Sequence, residues 1–403
     1  MASTITPDVR PPGLQRLPGL ERLRIAATLA VVLLHAAIAY MPHPLPRLVW
    51  ATHDAVTPAA DAVGWIANSF VMPFFFVLGG FGAAGLLQRH GPRETARHRI
   101  RRLGGPLLLG CVLILPLDLY AWLLGFAADG LIPLKKLRSL KLGSAGEGLW
   151  GPSHLWFLQY LLVYSLCLCG LRAAGWRMPA AVRRMAVTPL GVLAMACLTA
   201  APLAMEPAIL IGFRHSWWPL PLTLSFYGPM FAFGVWLATP DDSLRIDDHR
   251  GRGLAAFGWP HAVVGLLALA AAWPLLKGHV EGGLASGPRV AMTWLYTAAG
   301  WLIAVGAIGA ASRDCRPLSP RAAYLASACF WVYLFHHPVV GCAQVALKPL
   351  SWPADVKFAV TAVYGVGLSL LMFEACVRRT WVGGVLGVRR RQPAPQTEHR
   401  RAA

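Results

Sequence analysis

The sequence predicts an all-α, polytopic integral membrane protein of about ten transmembrane helices with both termini cytoplasmic. Three observations lead there. Of 403 residues, 56% are hydrophobic and only 14% charged, far from the balance of a soluble domain. Apolar runs of about 20 residues, the length a helix needs to cross a hydrocarbon core of about 30 Å, recur along the whole chain. Most of the 37 Lys and Arg fall in alternate loops between those runs, as cytoplasmic loops require. Helices are expected rather than open strands because lipid cannot satisfy bare backbone groups.

In chain order the runs cover 23–41, 62–88, 104–126, 154–172, 187–205, 218–238, 256–276, 290–311, 323–346 and 356–377. Pro116 and Pro202 near the ends of the third and fifth soften those boundaries. The first run follows Arg10, Arg16, Arg22 and Arg24 and resembles a signal peptide, but it carries a histidine and many further runs follow, so a retained span is expected. With the N-terminus inside, the cations from Arg10 to Arg24, Arg89 to Arg102, Arg172 to Arg184, Arg245 to Arg252, Arg313 to Arg321 and from Arg378 onward all lie inside. The outer loop "KKLRSLK" at 135–141 runs against this rule, so 127–153 is expected to be partly re-entrant or amphipathic. The mixed-charge "DDSLRIDDHRGR" at 241–252 reads as a solvated cytoplasmic loop. The chain thus divides into a cytoplasmic N-terminal segment (1–22), a transmembrane domain (23–388) and a disordered basic cytoplasmic tail (389–403), "RRRQPAPQTEHRRAA", suited to anionic lipid.

A net charge of +19 would fit nucleic acid, but the cations form no continuous basic surface, and a topology signal explains them better. Of the eight cysteines, only Cys315 falls in a loop and no CxxC pair occurs, which excludes a disulfide framework and a cysteine zinc site.

The candidate chemistry begins in the first span. "RIAATLAVVLLH" sets Arg24 and His35 eleven residues apart, which on a helix is about 20° in direction and about 16 Å in height. One face therefore carries a cation at the cytoplasmic mouth and a proton acceptor at membrane depth, where ionisable groups are functional candidates by default. "RHRIRRLGGP" at 97–106 puts Arg99 and Arg102 three apart at a helix start, able to hold one phosphate with their planar forks. GFGAAG at 80–85 matches the dinucleotide fingerprint literally, yet it sits inside one apolar run, so close helix contact is its expected use. His154 and Trp156 open the fourth span from outside. His336 and His337, near the outer end of the ninth, point about 100° apart and should not share a metal. Asp118 and Glu374 are the intramembrane acids, the latter able to pair with Arg378 four residues on. No hydrolase triad can be assembled by spacing.

Taken in order, these motifs resemble the acyltransferase-3 membrane acyltransferases, most closely their glucan succinyl-transfer subgroup. The resemblance rests on Arg24 and His35 ten residues apart in between, "FFVLGGF" at 75–81, Arg99, Arg102 and Pro106, "SHLWFL" at 153–158, "FYGPMFAFG" at 226–234, "YLFHHP" at 333–338 and Glu374. It departs at Gly79, where serine is usual, and at Glu21 in "GLERLR". It implies an acyl-CoA-dependent membrane-bound O-acyltransferase in the bacterial inner membrane. The donor would be a cytoplasmic acyl-CoA (succinyl or acetyl), and the acceptor an extracytoplasmic carbohydrate such as periplasmic glucan or exopolysaccharide. His35 would be the general base, Arg24, Arg99 and Arg102 the cofactor phosphate clamp, and His154, Trp156, His336 and Glu374 acceptor-side or supporting groups. No metal is expected, and no nucleic acid. A proton-coupled transporter or flippase of a glycan-related substrate is the alternative, weakened by the lack of paired interrupted helices.

Overall fold

The structure, a computed structural model, describes residues 18–135, 149, 151–186, 188–207, 216–238, 257–378, 380 and 382–383. The expected features at 136–148, 241–252 and 389–403 lie outside the described residues. Within them the chain is all helical: α1 (Pro18–Ile38), α2 (Pro58–Arg99), a π turn (Ile100–Gly104), α3 (Gly105–Ala128), a 3₁₀ turn (Ser153–Leu155), α4 (Trp156–Ala173), α5 (Ala180–Ala186), α6 (Pro189–Met205), α7 (Pro221–Leu237), α8 (Trp259–Glu281), α9 (Ser286–Ser312), α10 (Pro320–Leu347), α11 (Ala354–Met372) and a closing π turn (Phe373–Val377). Each of the ten apolar runs falls on a helix. Six helical stretches among the described residues are long and apolar enough to cross a membrane, and one of them is the 71-residue run Pro58–Ala128. Helix α1 carries Glu21, Arg22 and Arg24 in its first two turns, and α6 and α7 have 17 residues each.

The long run is two arms. Gly91 has φ +71°, a conformation that favours glycine, and Pro92 after it offers no amide. In a straight helix Gly82 and Arg99 would be about 25 Å apart, yet a Cβ on Gly82 would lie only 3.3 Å from Arg99 Nη2. The chain therefore folds back at Gly91, and the basic cluster sits at the start of the returning arm.

Close packing uses small residues. A Cβ on Gly80 would run into the Phe231 carbonyl, and one on Gly234 into the Val77 carbonyl, so α2 and α7 cross backbone to backbone. Gly80 is the first glycine of GFGAAG, whose use is helix contact. Gly79 faces the side chain of Leu161, which would have to move for a serine. The eight cysteines are all free.

One end of the bundle gathers the start of α1 and the ends of α9 and α11. There Gly19 donates its amide to Asp314 O, and Arg22 reaches Asp314 at 2.8 Å and the carbonyls of Arg316 and Pro317. The opposite end is closed by 39–57, a segment without helix whose Ala39, Tyr40, Met41, Trp50, Ala51 and Thr52 are buried. It is tied down by Asp54 N to Ala39 O, Thr57 N to Tyr40 O, and His43 to Asp61, by the ion pair of Lys357 with Asp54, and by Lys348, which donates to Thr52 Oγ1 and His53 O.

Candidate active site

His35 lies in the last turn of α1, where the carbonyls of a helix lack partners. Gln344 of α10 supplies them, donating from Nε2 to His35 O (3.1 Å) and Ala36 O (3.0 Å) and accepting from Trp50 Nε1 (2.7 Å). A wholly buried glutamine thus fixes both the end of α1 and the indole that stacks on the His35 ring, at 5.6 Å between centroids.

The hydrogen bonds of His35 set its tautomer. Its Nδ1 lies 2.8 Å from Val31 O, and because a carbonyl only accepts, the proton is on Nδ1 and the lone pair on Nε2. His336 is locked likewise: Nδ1 donates to the carbonyls of Val332 (2.9 Å) and Tyr333 (2.8 Å), leaving its Nε2 to accept from His35 Nδ1 at 3.2 Å. His35 remains half-buried, whereas His154, His336 and His337 are sealed.

Beside this pair lies a second group. Pro338 has no amide, so in α10 the carbonyl of Leu334 lacks its donor. His154 fills that gap, donating from Nε2 at 2.9 Å, and Tyr333 Oη returns a bond to His154 O at 2.6 Å. Ser153, with φ +48°, turns the chain so that His154 enters the bundle. The ring of His154 stacks on that of His337 at 4.4 Å, and Trp122 stacks on His337 at 5.0 Å. His337 Nδ1 is 3.0 Å from Asp118 Oδ1, and His154 Nδ1 is 3.4 Å from Asp118 Oδ2. The His337 ring is 4.8 Å from that of His35. Four histidines and one aspartate from α1, α3, α10 and the turn before α4 therefore form one interior cluster.

The cations stand elsewhere. Arg24 pairs with Glu21 at 2.6 Å and donates to Ala326 O of α10 at 2.7 Å. Arg99 and Arg102 turn inward while Arg97 and Arg101 are exposed. Arg24 Nε, Arg99 Nε and Arg102 Nη1 are buried without a hydrogen-bond partner among the described residues, donors free to meet an anion.

Two of the expected acceptor-side residues are also outside the cluster. Trp156 packs against Phe76, Tyr160 and Tyr227. Glu374 pairs with Arg378 at 2.7 Å, whose guanidinium covers Tyr324, so it belongs to the Arg24 end of α10, about 18 Å from the His336 level. His154 is buried within the bundle. His336 and His337 do diverge, as their helical angle requires, one to His35 and the other to Asp118. Sequence reasoning missed the joining of Asp118 to His154 and His337, and the parts of Trp50, Trp122 and Gln344. A glutamine in an apolar run was the available signal for Gln344; nothing marked Trp50.

Against known families, residues 17–374 match the acyltransferase domain of the acyltransferase-3 type. No curated protein and no solved structure matches. With a match across most of its length, and apolar helices to hold it in a membrane, the chain belongs to the acyltransferase-3 family and is a membrane acyltransferase.

Proposed function

We propose that this protein transfers a succinyl or acetyl group from cytoplasmic acyl-CoA to a hydroxyl of an extracytoplasmic glycan, with His35 as general base. The observation that carries the reading is the fixed tautomer of a half-buried His35, whose bare Nε2 is the one lone pair of the cluster on a ring that is not sealed. The orphan guanidinium donors of Arg24, Arg99 and Arg102 support a phosphate clamp at the opposite end. Ten spans with both termini cytoplasmic, in the bacterial inner membrane, would put that clamp inside and the glycan outside.

In this mechanism His35 Nε2 takes the acceptor proton while the hydroxyl oxygen attacks the thioester carbonyl. The carbon–sulfur bond breaks, and the His35 imidazolium returns the proton to the leaving thiolate. His336 Nε2, accepting from His35 Nδ1, spreads the transient charge. Trp50 and Gln344 hold the ring in place. His154 reaches His35 only through its neighbours, and Trp156 and Glu374 act in packing.

The test is mass spectrometry of cell-envelope glycans from strains carrying wild type or His35→Gln. The wild-type glycan should carry an acyl increment that identifies both group and acceptor, and the variant should lose it. A folded His35→Gln protein that acylates at the wild-type level would refute the assignment; a glycan identical with and without the gene would refute the acceptor.

A further inference from the structure

The neutral form of the second group does not balance. His154 donates from Nε2 to Leu334 O, so its Nδ1 carries a lone pair, and that lone pair faces a carboxylate oxygen. Asp118 Oδ2 and His154 Nδ1 are both buried and without a hydrogen-bond partner among the described residues. Two acceptors facing each other in a dry interior call for a cation between them.

We propose that Asp118, His154 and His337 bind a divalent transition-metal ion, zinc above others, inside the helix bundle. Each offers one ligand atom, these atoms all lie within 4.8 Å of one another, and all three residues are buried. Tetrahedral bonds of about 2.0–2.1 Å put neighbouring ligand atoms about 3.3 Å apart. His337 Nδ1 is 3.0 Å from Asp118 Oδ1 and His154 Nδ1 is 3.4 Å from Asp118 Oδ2, so the carboxylate faces both imidazoles with a different oxygen to each. Two imidazoles and one carboxylate with a free fourth position is a common catalytic zinc set. The remaining nitrogen of His154 is anchored on a backbone carbonyl, as metal-bound histidines require; because His154 and His337 stack face to face at 4.4 Å, one ring turns on binding to bring both lone pairs onto the ion. His336, adjacent in sequence, is no ligand because its Nδ1 is spent on its own helix and its Nε2 on His35. The ion lies one ring away from His35.

The proposal stands apart from the acyl-transfer reading, because metal is measured with neither donor nor acceptor present. Full-length protein purified in detergent without chelator is expected to contain about one zinc per chain by elemental mass spectrometry. Asp118→Asn and His154→Gln should lose it, and His261→Gln, in the first turn of α8, should keep it. Wild type alone decides the matter if the variants fold poorly. Stripped with chelator and titrated with Co²⁺, it should develop the visible absorption of a low-coordinate cobalt with nitrogen and oxygen ligands, saturating near one equivalent and bleached by Zn²⁺. Stripped wild type that takes up neither ion overturns the proposal and leaves a proton on His154 as the balancing charge. So does a folded Asp118→Asn that binds Co²⁺ as wild type does.

Discussion

Replacing Gln344 by leucine removes three hydrogen bonds at once while nearly keeping volume: two to the carbonyls of His35 and Ala36 and one from Trp50. At about 0.6 kcal/mol for a hydrogen bond inside a membrane protein, the three together give about 2 kcal/mol. The stranded indole N–H is sealed from water and raises the loss to about 3 kcal/mol. Thermal unfolding in detergent of Gln344→Leu beside wild type measures this. Because the same bonds hold the end of α1 and the ring on His35, acyl transfer should fall about a hundredfold, as for catalytic groups displaced by an ångström. Gln344→Glu keeps the acceptor for Trp50 but sets a carboxyl oxygen against the carbonyls of His35 and Ala36, and should be no more stable than Gln344→Leu. A Gln344→Leu protein within about 0.5 kcal/mol of wild type and fully active would refute the view that this glutamine builds the site.

In the proposed mechanism Arg99→Ala and Arg102→Ala should each raise KM for acyl-CoA about tenfold or more, with kcat little changed, since each would remove charge-assisted bonds to the donor. Arg97→Ala, exposed and 3.9 Å from Glu94, should leave KM unchanged; equal effects at 97 and 99 would remove the phosphate clamp from the mechanism. Gly80→Val should destabilise by about 2 kcal/mol or more, because the branched side chain meets the Phe231 carbonyl where α2 and α7 touch, and thermal unfolding with unchanged stability would deny that crossing. Asp314 is held at about 2 by the Arg316 side chain first, then by the Arg316 amide and Arg22. A depressed carboxylate contributes stability that is complete above its unfolded value of about 3.9 and is lost as pH falls through about 2. The difference in unfolding temperature between wild type and Asp314→Asn should therefore stay constant from pH 5 to 8 and shrink only below about pH 4.

The helices were legible because apolar run length is a local property: the bilayer demands it and each run meets it alone. Arg24 and His35 were legible for the same reason, since both stand on one helix and the angle between them is arithmetic. Even there the sequence ran the first span on to residue 41, whereas α1 ends three residues after His35 and 39–57 folds back to set Trp50 against its ring. The meeting of Asp118, His154 and His337 depends on how α3, α4 and α10 pack, and sequence separations of 36 to 219 residues leave no periodic trace. The divergence of His336 and His337 was readable, but not that each direction ended on a different partner.

Pro338 has a consequence for the order of assembly. A bare carbonyl in hydrocarbon costs several kcal/mol, so α10 inserted alone would be an incomplete membrane segment at Leu334. Its missing donor is a histidine made 180 residues earlier, on a turn that must already face inward when α10 arrives. The bundle becomes comfortable in lipid only when its interior cluster has closed, and maturation of the protein in the membrane and creation of its chemistry are then a single event.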